Sequence, residues 1–252
     1  MPKLLPRGTK QELLQQITNG NSINAIARSL HLGKSTIYYH YKKIRGRKNK
    51  PPQFNPQASE AEGEICGIFA GDGSQYFEPK KFHYEVNVHF GGHREPYARY
   101  VKSLFESFFH KEFRLRREKS GAPRLRTQSK TIFCYFKHYL EYIPQHKHDT
   151  VQLKERTASP EFKKGFLRGL FDTDGCLWKD VTNRRLRAFY YTTSEILSRQ
   201  TIQMLAEFGV SATKHVRFKP GCKPIFVLQF ATRSIDTFLK HVKPFKARWA
   251  GS

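Results

Sequence analysis

The sequence predicts an α+β fold made of two similar αββαββα halves, preceded by a small all-α domain. An internal repeat indicates the halves: residues 62–74 (EGEICGIFAGDGS) match residues 164–176 (KGFLRGLFDTDGC). A similar order of predicted strands and helices follows each copy. A change in composition indicates the extra domain, because residues 1–50 combine three short helical patterns with eleven Lys and Arg and only one acidic residue.

The charge of the chain indicates a polyanionic partner. Its 252 residues include 45 Lys and Arg against 21 Asp and Glu, a net charge of +24 with neutral histidines. Such an excess makes a protein repel itself and is usually retained where the partner is strongly negative, which makes nucleic acid the first candidate. An acidic membrane is the second candidate, but no basic amphipathic helix supports it.

The sequence offers no candidate for a membrane span or a secretion signal. No apolar run approaches 18 residues, and the first ten residues, MPKLLPRGTK, carry too few apolar side chains for a signal peptide. A reducing compartment is therefore expected, either a prokaryotic or phage-like cytoplasm or an organelle. The four cysteines are far apart, so we expect buried or incidental thiols rather than zinc ligands or disulfides.

Residues 1–44 are predicted to form three helices. The first begins at Thr9, the predicted N-cap, and Glu12 completes a capping box. The second begins at Ser22, and Gly33 is expected to take the left-handed position in the turn that follows it. The third helix, KSTIYYHYKKI, is expected to pack inward through an apolar stripe formed by Ile37, Tyr41 and Ile44.

The segment SINAIARSLHLGKSTIYYHY resembles the helix-turn-helix of DNA-binding proteins. It has Ala in the middle of its first helix, an apolar residue in the turn, and Ser-Thr at the start of its second helix. The side chains expected to face outward on that helix suit phosphates and base edges. They are Lys34, Ser35, Thr36, Tyr38, Tyr39, Lys42 and Lys43. The alternative is a plain three-helix scaffold with a solvated basic face.

Residues 45–59 are predicted to be a basic linker, because their three prolines exclude a regular helix. Half-domain 1 is predicted over 60–150 and half-domain 2 over 151–252. In the first half the strands are expected near 74–79, 82–90, 112–118 and 123–128, with helices at 96–109 and 129–142. In the second half they are expected near 176–181, 185–193, 212–219 and 224–231, with helices at 194–208 and 233–242.

Small residues recur every four positions along both repeat segments, which places them on one face of a helix. They are Gly63, Gly67 and Gly71 in the first copy and Gly165, Gly169 and Thr173 in the second. A glycine inside a helix costs roughly 0.5–1 kcal/mol relative to alanine, so a repeated stripe indicates another backbone packed against it. The natural partner is the equivalent helix of the other half. Asp72 and Asp174, at the C-terminal ends, would then lie side by side.

Two carboxylates at helix C-termini need a counter-charge. The helix dipole disfavours negative charge there, and like charges repel each other. A divalent cation removes both objections, and oxygen ligands favour Mg²⁺ or Mn²⁺ over Zn²⁺. The alternative is a pair of ordinary Asp-Gly turns. Two instances, each at the end of a glycine-striped helix, favour the metal site.

At these residues the sequence resembles a LAGLIDADG homing endonuclease of the monomeric, two-repeat kind. The motif reads ICGIFAGDG over 65–73 and LRGLFDTDG over 167–175, so Ala70 stands where the second copy has Asp172. The resemblance covers roughly 60–246. It implies that the motif helices form the interface between the halves, and that two curved antiparallel sheets form a saddle over the major groove of a double-stranded DNA target.

The resemblance also implies the chemistry of the site. Asp72 and Asp174 would bind Mg²⁺, with Mn²⁺ as a substitute, beside the two scissile phosphates. The carbonyl groups of Gly71 and Thr173 would also face metal. One acid for each strand implies a double-strand break, the reaction that serves intron homing.

Two further roles follow from the resemblance. A lysine near the end of each half would lie close to the attacking water, and alignment of the last helices suggests Lys147 and Lys246. Surface lysines are the alternative in a chain with so many. A polar residue at the end of the second strand usually holds water. Asn87 fits this role, whereas Tyr190, its partner by alignment, fits poorly, so the role stays open.

The strand patterns indicate a DNA-binding face independently. Alternation in EFRLRREK and KHVRFK gives one face to the core and the other to a partner, with Val216 and Phe218 expected to face the core. A third basic cluster surrounds the first hairpin of the second half. The candidate DNA contacts on these segments are Arg114, Arg116, Arg184, Arg185, Arg187, Arg217 and Lys219.

The predicted function is site-specific cleavage of both strands of DNA by a monomeric enzyme. One alternative is a non-cleaving DNA-binding regulator on the same scaffold, which would be marked by loss of the motif acids. The other is an RNA maturase that assists intron splicing and binds intron RNA, which is compatible with retained acids. The helix-turn-helix favours duplex DNA, because the major groove of A-form RNA is too narrow to read.

Overall fold

The computed structural model describes residues 5–46, 54–91, 95–154, 159–180, 182 and 184–248. The chain divides into two compact units, Met1–Pro51 and Pro52–Ser252. In the part of the chain that is described, no helix combines the length and the apolar character needed to cross a membrane.

The first unit contains three helices: α1 (Arg7–Thr18), α2 (Ile23–Ser29) and α3 (Lys34–Arg45). Four side chains with no exposed surface form its core, namely Leu13, Ile17, Ile26 and Ile37. Ser22 is the N-cap of α2, as predicted, because its hydroxyl oxygen accepts a hydrogen bond from the amide of Ala25.

Three details predicted for the first unit are wrong. Helix α1 begins before Thr9, and Pro6 takes the N-cap position, where its restricted φ suits a helix start. The left-handed residue between α2 and α3 is His31, with φ of 50°, whereas Gly33 is extended and forms the N-cap of α3. Ile44 is 43% exposed, because the small core ends one turn earlier along α3.

The second unit contains the αββαββα order twice, which confirms the predicted α+β fold. The first half consists of α4 (Glu60–Asp72), β1 (Gly73–Glu78), β2 (His83–His89), α5 (Glu95–Phe109), β3 (Arg114–Arg117), β4 (Pro123–Gln128) and α6 (Lys130–Tyr139). Three short elements follow it: β5 (Leu140–Glu141), α7 (Lys147–Thr150) and β6 (Gln152–Leu153). The second half consists of α8 (Pro160–Asp174), β7 (Gly175–Asp180), β8 (Arg185–Thr192), α9 (Glu195–Glu207), β9 (Ala212–Arg217), β10 (Ile225–Phe230) and α10 (Ile235–Val242).

Each half contains a four-stranded antiparallel sheet with the same strand order. The order is β1-β2-β4-β3 in the first sheet and β7-β8-β10-β9 in the second. Gly73 pairs with Val88 in the first sheet, and Gly175 pairs with Tyr190 in the second. Alternate side chains of both sheets join the helices in one continuous hydrophobic core. The other face of each sheet is called its open face below.

The described end of the predicted linker belongs to the second unit and packs on its first half. The ring of Phe54 stacks on Phe108, with centroids 6.1 Å apart, and meets Tyr135 edge-on. The amides of Gln57 and Ser59 both donate to the Glu62 carboxylate. Residues 54–59 are therefore held on the first half, while the rest of the predicted linker, apart from 45–46, lies outside the described residues.

Two other predictions need correction. Strand β9 ends at Arg217. Val216 lies on the core-facing side, opposite the buried Phe226, but is 41% exposed, and Phe218 is 80% exposed, so neither is buried in the core. The reason is that β9 is an edge strand and Phe218 lies beyond its end. Helix α6 ends before 140–142, where the chain turns into β5. All four cysteines are free thiols, of which Cys66 is buried and the others are exposed.

Candidate active site

Helices α4 and α8 pack directly against each other along their glycines. A methyl group placed on Gly63 would lie less than 3.0 Å from the carbonyl oxygen of Phe162. Gly67, Gly165 and Gly169 are equally close to carbonyl oxygens of the opposite helix. A methyl group placed on Gly67 would also lie 3.1 Å from the Cα atom of Gly169. Any side chain at these positions would force the two backbones apart.

This packing brings the C-terminal ends of α4 and α8 together. A methyl group on Gly71 would overlap the Thr173 side chain and lie 2.6 Å from Asp174 Oδ2. Asp72 and Asp174 are the last residues of the two helices, and both are half-buried. The charges of both carboxylates also act on the Lys147 ammonium group. The two acids therefore share one small region at the helix ends.

Lys147, the first residue of α7, caps the end of α4. Its side chain is buried, and its ammonium group donates to three main-chain carbonyl oxygens: Phe69 at 2.8 Å, Ala70 at 2.5 Å and Gly71 at 3.0 Å. A cation is favourable at a helix C-terminus, where carbonyl groups lack helical partners. Burial lowers the pKa of Lys147 to about 8, while the charges of Asp174 and Asp72 act in the opposite direction.

Lys246 occupies the equivalent place on α8 but is only half-buried. Its ammonium group donates to the carbonyl oxygens of Phe171 at 3.2 Å, Thr173 at 3.1 Å and Gly175. The two lysines suggested by alignment thus lie at matching positions. Each contacts the main chain of a helix end and thereby helps to place the neighbouring aspartate.

We expect Lys147→Ala to lower the melting temperature more than Lys246→Ala. Loss of the buried ammonium leaves carbonyl oxygens without a donor, which costs about 1–3 kcal/mol, whereas water can reach the end of α8. In a protein of this size, a loss of about 1 kcal/mol in the free energy of unfolding lowers the melting temperature by roughly 2–4 °C. Thermal unfolding of both variants and of the exposed Lys240→Ala control measures this difference. Equal losses for Lys147 and Lys246 would contradict the expectation.

Asp172 fixes the segment that carries Lys246. Its carboxylate accepts from the amides of Phe245 at 2.8 Å and Lys246 at 2.9 Å. The side chain is 1% exposed, and this burial raises its pKa to about 6, against the effect of the two amide donors. Ala70 takes this place in the first half. In the first half the equivalent lysine, Lys147, is the first residue of α7, so this helix positions it.

The donors at the helix ends suit a divalent cation shared with a substrate. Among the described residues, no three His, Cys, Asp or Glu side chains are grouped closely enough to hold a metal ion alone. Mg²⁺ is commonly held by one or two carboxylates together with substrate phosphates and water. Asp72 and Asp174 could provide the carboxylates. The carbonyl oxygens of Gly71 and Thr173 already accept from lysine ammonium groups. Those two oxygens are therefore poorer candidates for metal ligands than the carboxylates.

The open face of the first sheet carries four arginines, which we call the arginine ladder: Arg114, Arg116, Arg124 and Arg126. The register pairs Arg114 with Arg126 and Arg116 with Arg124. The first two are exposed, as predicted from the alternation in β3. Arg124 and Arg126 were not identified from the sequence. They alternate with the buried Leu125, which is the same pattern of alternating side chains that indicated the arginines of β3. Arg126 also pairs with Glu85 at 2.5 Å.

The predicted basic residues of the second half lie near the start of β8 and the end of β9. Arg185 is exposed at the start of β8, and Arg187 is half-buried and pairs with Asp180 at 3.5 Å. The remaining predicted residues in this half are exposed: Arg184, Arg217 and Lys219. Aromatic side chains dominate the middle of this open face, namely Trp178, Phe189 and Tyr191. The two open faces therefore differ in charge.

Comparison with known proteins identifies the domain. Residues 161–243 match the LAGLIDADG-like domain family. The chain contains a LAGLIDADG-like domain. No protein with a curated description matches the chain.

Three solved structures share the fold. The structure is similar to the homing endonuclease I-DmoI in complex with DNA and Mn, with a TM-score of 0.55 and 17% identity over 74% of this chain and 97% of that chain. For I-DmoI in complex with DNA and Ca, the TM-score is 0.55 and the identity is 17%, over 73% of this chain and 90% of that chain. For the N-terminal LAGLIDADG domain of DUF199/WhiA, the TM-score is 0.51 and the identity 14%, over 96% and 93%.

The strand registers of the two sheets show that Asn87 and Tyr190 are not equivalent. Asn87 pairs with Ser74 in the first sheet, and the corresponding residue of the second sheet is Phe189, which pairs with Cys176. Tyr190 faces the core. Because both hairpins have the same register, the predicted match of Tyr190 to Asn87 is wrong by one position. Asn87 is 6% exposed, and its Oδ1 has no hydrogen-bond partner among the described residues. A bound water could satisfy this oxygen.

Two cavities flank the ends of the motif helices, and Gly71 lines both. The first has a volume of about 330 Å³ and is lined by residues that include Asp72, Ser74, His89 and Lys147. The second has a volume of about 260 Å³ and is lined by residues that include Asp174 and Tyr190. Each aspartate thus borders its own cavity. Sequence reasoning missed Ser74 and His89, because only the pairing of β1 with β2 brings them together.

Proposed function

We propose that the chain is a site-specific double-strand DNA endonuclease of the homing type, which acts as a monomer and hydrolyses phosphodiester bonds with a divalent metal ion. Mg²⁺ is the proposed ion, with Mn²⁺ as a substitute. The observation that carries the proposal is the placement of Asp72 and Asp174 at the adjoining ends of α4 and α8, each beside its own cavity. The arginine ladder on the open face of the first sheet and the DNA complexes of I-DmoI support it.

The proposed mechanism assigns a role to each group at the helix ends. Asp72 and Asp174 would hold the metal, which would stabilise the phosphate oxygens that gain negative charge. Lys147 and Lys246 hold the helix ends and so position the carboxylates. The arginine ladder binds phosphates and base edges in the major groove. One carboxylate for each strand accounts for a double-strand break.

The proposal is tested by a cleavage selection. Incubation of the full chain with a randomised duplex library and Mg²⁺ should enrich one recognition sequence that is cut in both strands. The matched control is the Asp72→Asn, Asp174→Asn double variant, which should yield no cut product from the same library. A wild-type protein that retains specific duplexes and cuts none would contradict the proposal.

Specific DNA binding without cleavage is the second candidate function. The observation that favours it is that Lys147 and Lys246 already occupy the carbonyl oxygens of Gly71 and Thr173. A cation at those oxygens would face an ammonium group. Binding selection carried out beside the cleavage selection distinguishes the two candidates, because only the endonuclease yields cut duplexes.

We further propose that residues 1–44 form a helix-turn-helix domain that extends contact with DNA. Helix α3 exposes the cationic residues Lys34, Lys42 and Lys43. Tyr38 and Tyr39 on the same helix are 39% and 40% exposed, although tyrosine usually buries much of its ring. Residues of this kind can contact phosphates and base edges together.

Removal of residues 1–51 is expected to shorten the DNA footprint and weaken binding, while leaving a folded nuclease. The deletion removes one compact unit and its cationic residues, and it keeps Phe54 on the first half. Loss of phosphate contacts should also make binding less sensitive to salt. Nuclease protection and binding titrations at several salt concentrations measure both effects. A footprint of unchanged length would exclude the first unit as a DNA-binding domain.

A further inference from the structure

A hydrogen-bonded chain of three side chains runs along the open face of the first sheet. Ser74 Oγ lies 3.0 Å from His89 Nε2, and His89 Nδ1 lies 3.2 Å from Glu118 Oε1. Ser74 is in β1, His89 ends β2, and Glu118 follows β3. Glu118 also pairs with Arg124 at 3.5 Å, which helps to hold its carboxylate in place.

The order of donors in this chain follows from the chemistry of its members. An ionised carboxylate can only accept, so His89 donates its Nδ1 hydrogen to Glu118. In the neutral imidazole Nε2 then carries a lone pair and accepts from the Ser74 hydroxyl. The oxygen of Ser74 keeps its own lone pairs for another donor. The arrangement therefore allows Ser74 to receive a proton while it passes its own proton to His89.

This row of hydrogen-bonded side chains ends at the cavity beside Asp72. Ser74 and His89 line the cavity of about 330 Å³ together with Asp72 and Lys147. The unpartnered Oδ1 of Asn87, which pairs with Ser74 across the strands, provides an acceptor for a water on the same face. A water molecule near Ser74 would thus lie close to the phosphate assigned to Asp72.

The second half lacks this chain. By sheet register, Cys176 corresponds to Ser74 and Tyr191 corresponds to His89. Tyrosine has no imidazole lone pair with which to accept a proton at neutral pH. The two halves therefore present different groups to the two phosphates, although their backbones follow the same order.

We propose that Ser74, His89 and Glu118 form a proton relay that serves only the strand cleaved at Asp72; this inference rests on the proposed endonuclease function. The attacking water transfers a proton to Ser74 Oγ as the Ser74 proton passes to His89 Nε2. The water oxygen bonds to phosphorus, the bond from phosphorus to the leaving sugar oxygen breaks, and that oxygen takes a proton from bulk water. Glu118 stabilises the imidazolium, which then releases its proton to solvent.

Strand-specific kinetics test the relay. The full chain acts on a duplex of its selected sequence with a different label on each strand, in Mg²⁺, under single-turnover conditions. The strand that Asp72→Asn fails to cut identifies the first-half phosphate. His89→Gln and Ser74→Ala should each slow that strand by roughly 10–10²-fold, with the other strand and the binding affinity unchanged. His138→Gln, at an exposed position on α6, is the matched control and should leave both rates unchanged.

Chemical rescue separates proton transfer from a structural role. Added imidazole should restore part of the lost rate in His89→Ala and should do nothing for Ser74→Ala. Equal slowing of both strands, a rate loss that follows weaker binding, or unchanged rates in His89→Gln would overturn the relay alone. A wild-type protein that binds the duplex and cuts neither strand would overturn the endonuclease proposal and the relay with it.

Discussion

Replacement of Asp72 with Asn is expected to slow cleavage of one DNA strand by roughly 10²-fold or more, and replacement of Asp174 should do the same for the other strand. Each carboxylate ends its own helix and borders its own cavity. The amide has nearly the size of the carboxylate and preserves the helix packing, but it lacks the charge that holds a divalent cation. Each single variant should therefore nick its target, and the double variant should only bind it.

A supercoiled plasmid that carries the selected sequence distinguishes these outcomes. Single variants should convert it to the nicked circle, whereas the wild-type protein should produce the linear form. Mobility-shift titrations should give nearly equal affinities for all forms. Asp236→Asn, which removes an exposed carboxylate from α10, is the matched control and should behave as wild type. Linear product at the wild-type rate from both single variants would show that these acids do not form the active site.

Gly67→Ala is expected to destabilise the protein by about 1–3 kcal/mol, although alanine is normally the better helix former. The added methyl group would lie less than 3.0 Å from the carbonyl oxygen of Phe166, so α4 and α8 would have to separate. Separation would also move Asp72 relative to Asp174. Misplacement near 1 Å can reduce a rate roughly 10²-fold. Both the melting temperature and the cleavage rate should therefore fall, and Gly67→Leu should lower them further.

Gly91→Ala is the matched control in the same unit, because a methyl group there would meet no atom within 4 Å. It should change neither the melting temperature nor the cleavage rate appreciably. Calorimetry and single-turnover cleavage of both variants give the comparison. A Gly67→Leu protein with wild-type stability and activity would mean that the two halves do not require close contact of these helix backbones.

Local sequence patterns predicted much of the fold. The repeated order of predicted strands and helices matches the structure, and the period of two indicated the exposed arginines of β3. The same period also marks Arg124 and Arg126, which alternate with the buried Leu125. The alignment of Asn87 with Tyr190 failed by one residue, and in a strand such an error moves a side chain from one face to the other.

Charge and packing at the helix ends were less predictable. The sequence indicated Lys147 and Lys246 only by their similar distance from the motif acids. Their contacts with carbonyl oxygens depend on where the chain returns after α6 and α10. Arg168 illustrates the same limit, because it bonds Glu64 at 2.9 Å and the carbonyl oxygen of Val242 at 2.7 Å from a position the motif alone leaves unspecified.

By itself, the sequence determined the repeat, its helices and strands, and the two glycine stripes, because these depend on residues that are neighbours along the chain or recur at a fixed period. Only the tertiary structure decided which distant side chains meet at the site. The contact of Lys147 with Gly71 and that of Glu118 with His89 join segments far apart in sequence. Such contacts depend on sheet register and on the separation of two helix backbones, which the packing of both halves sets together.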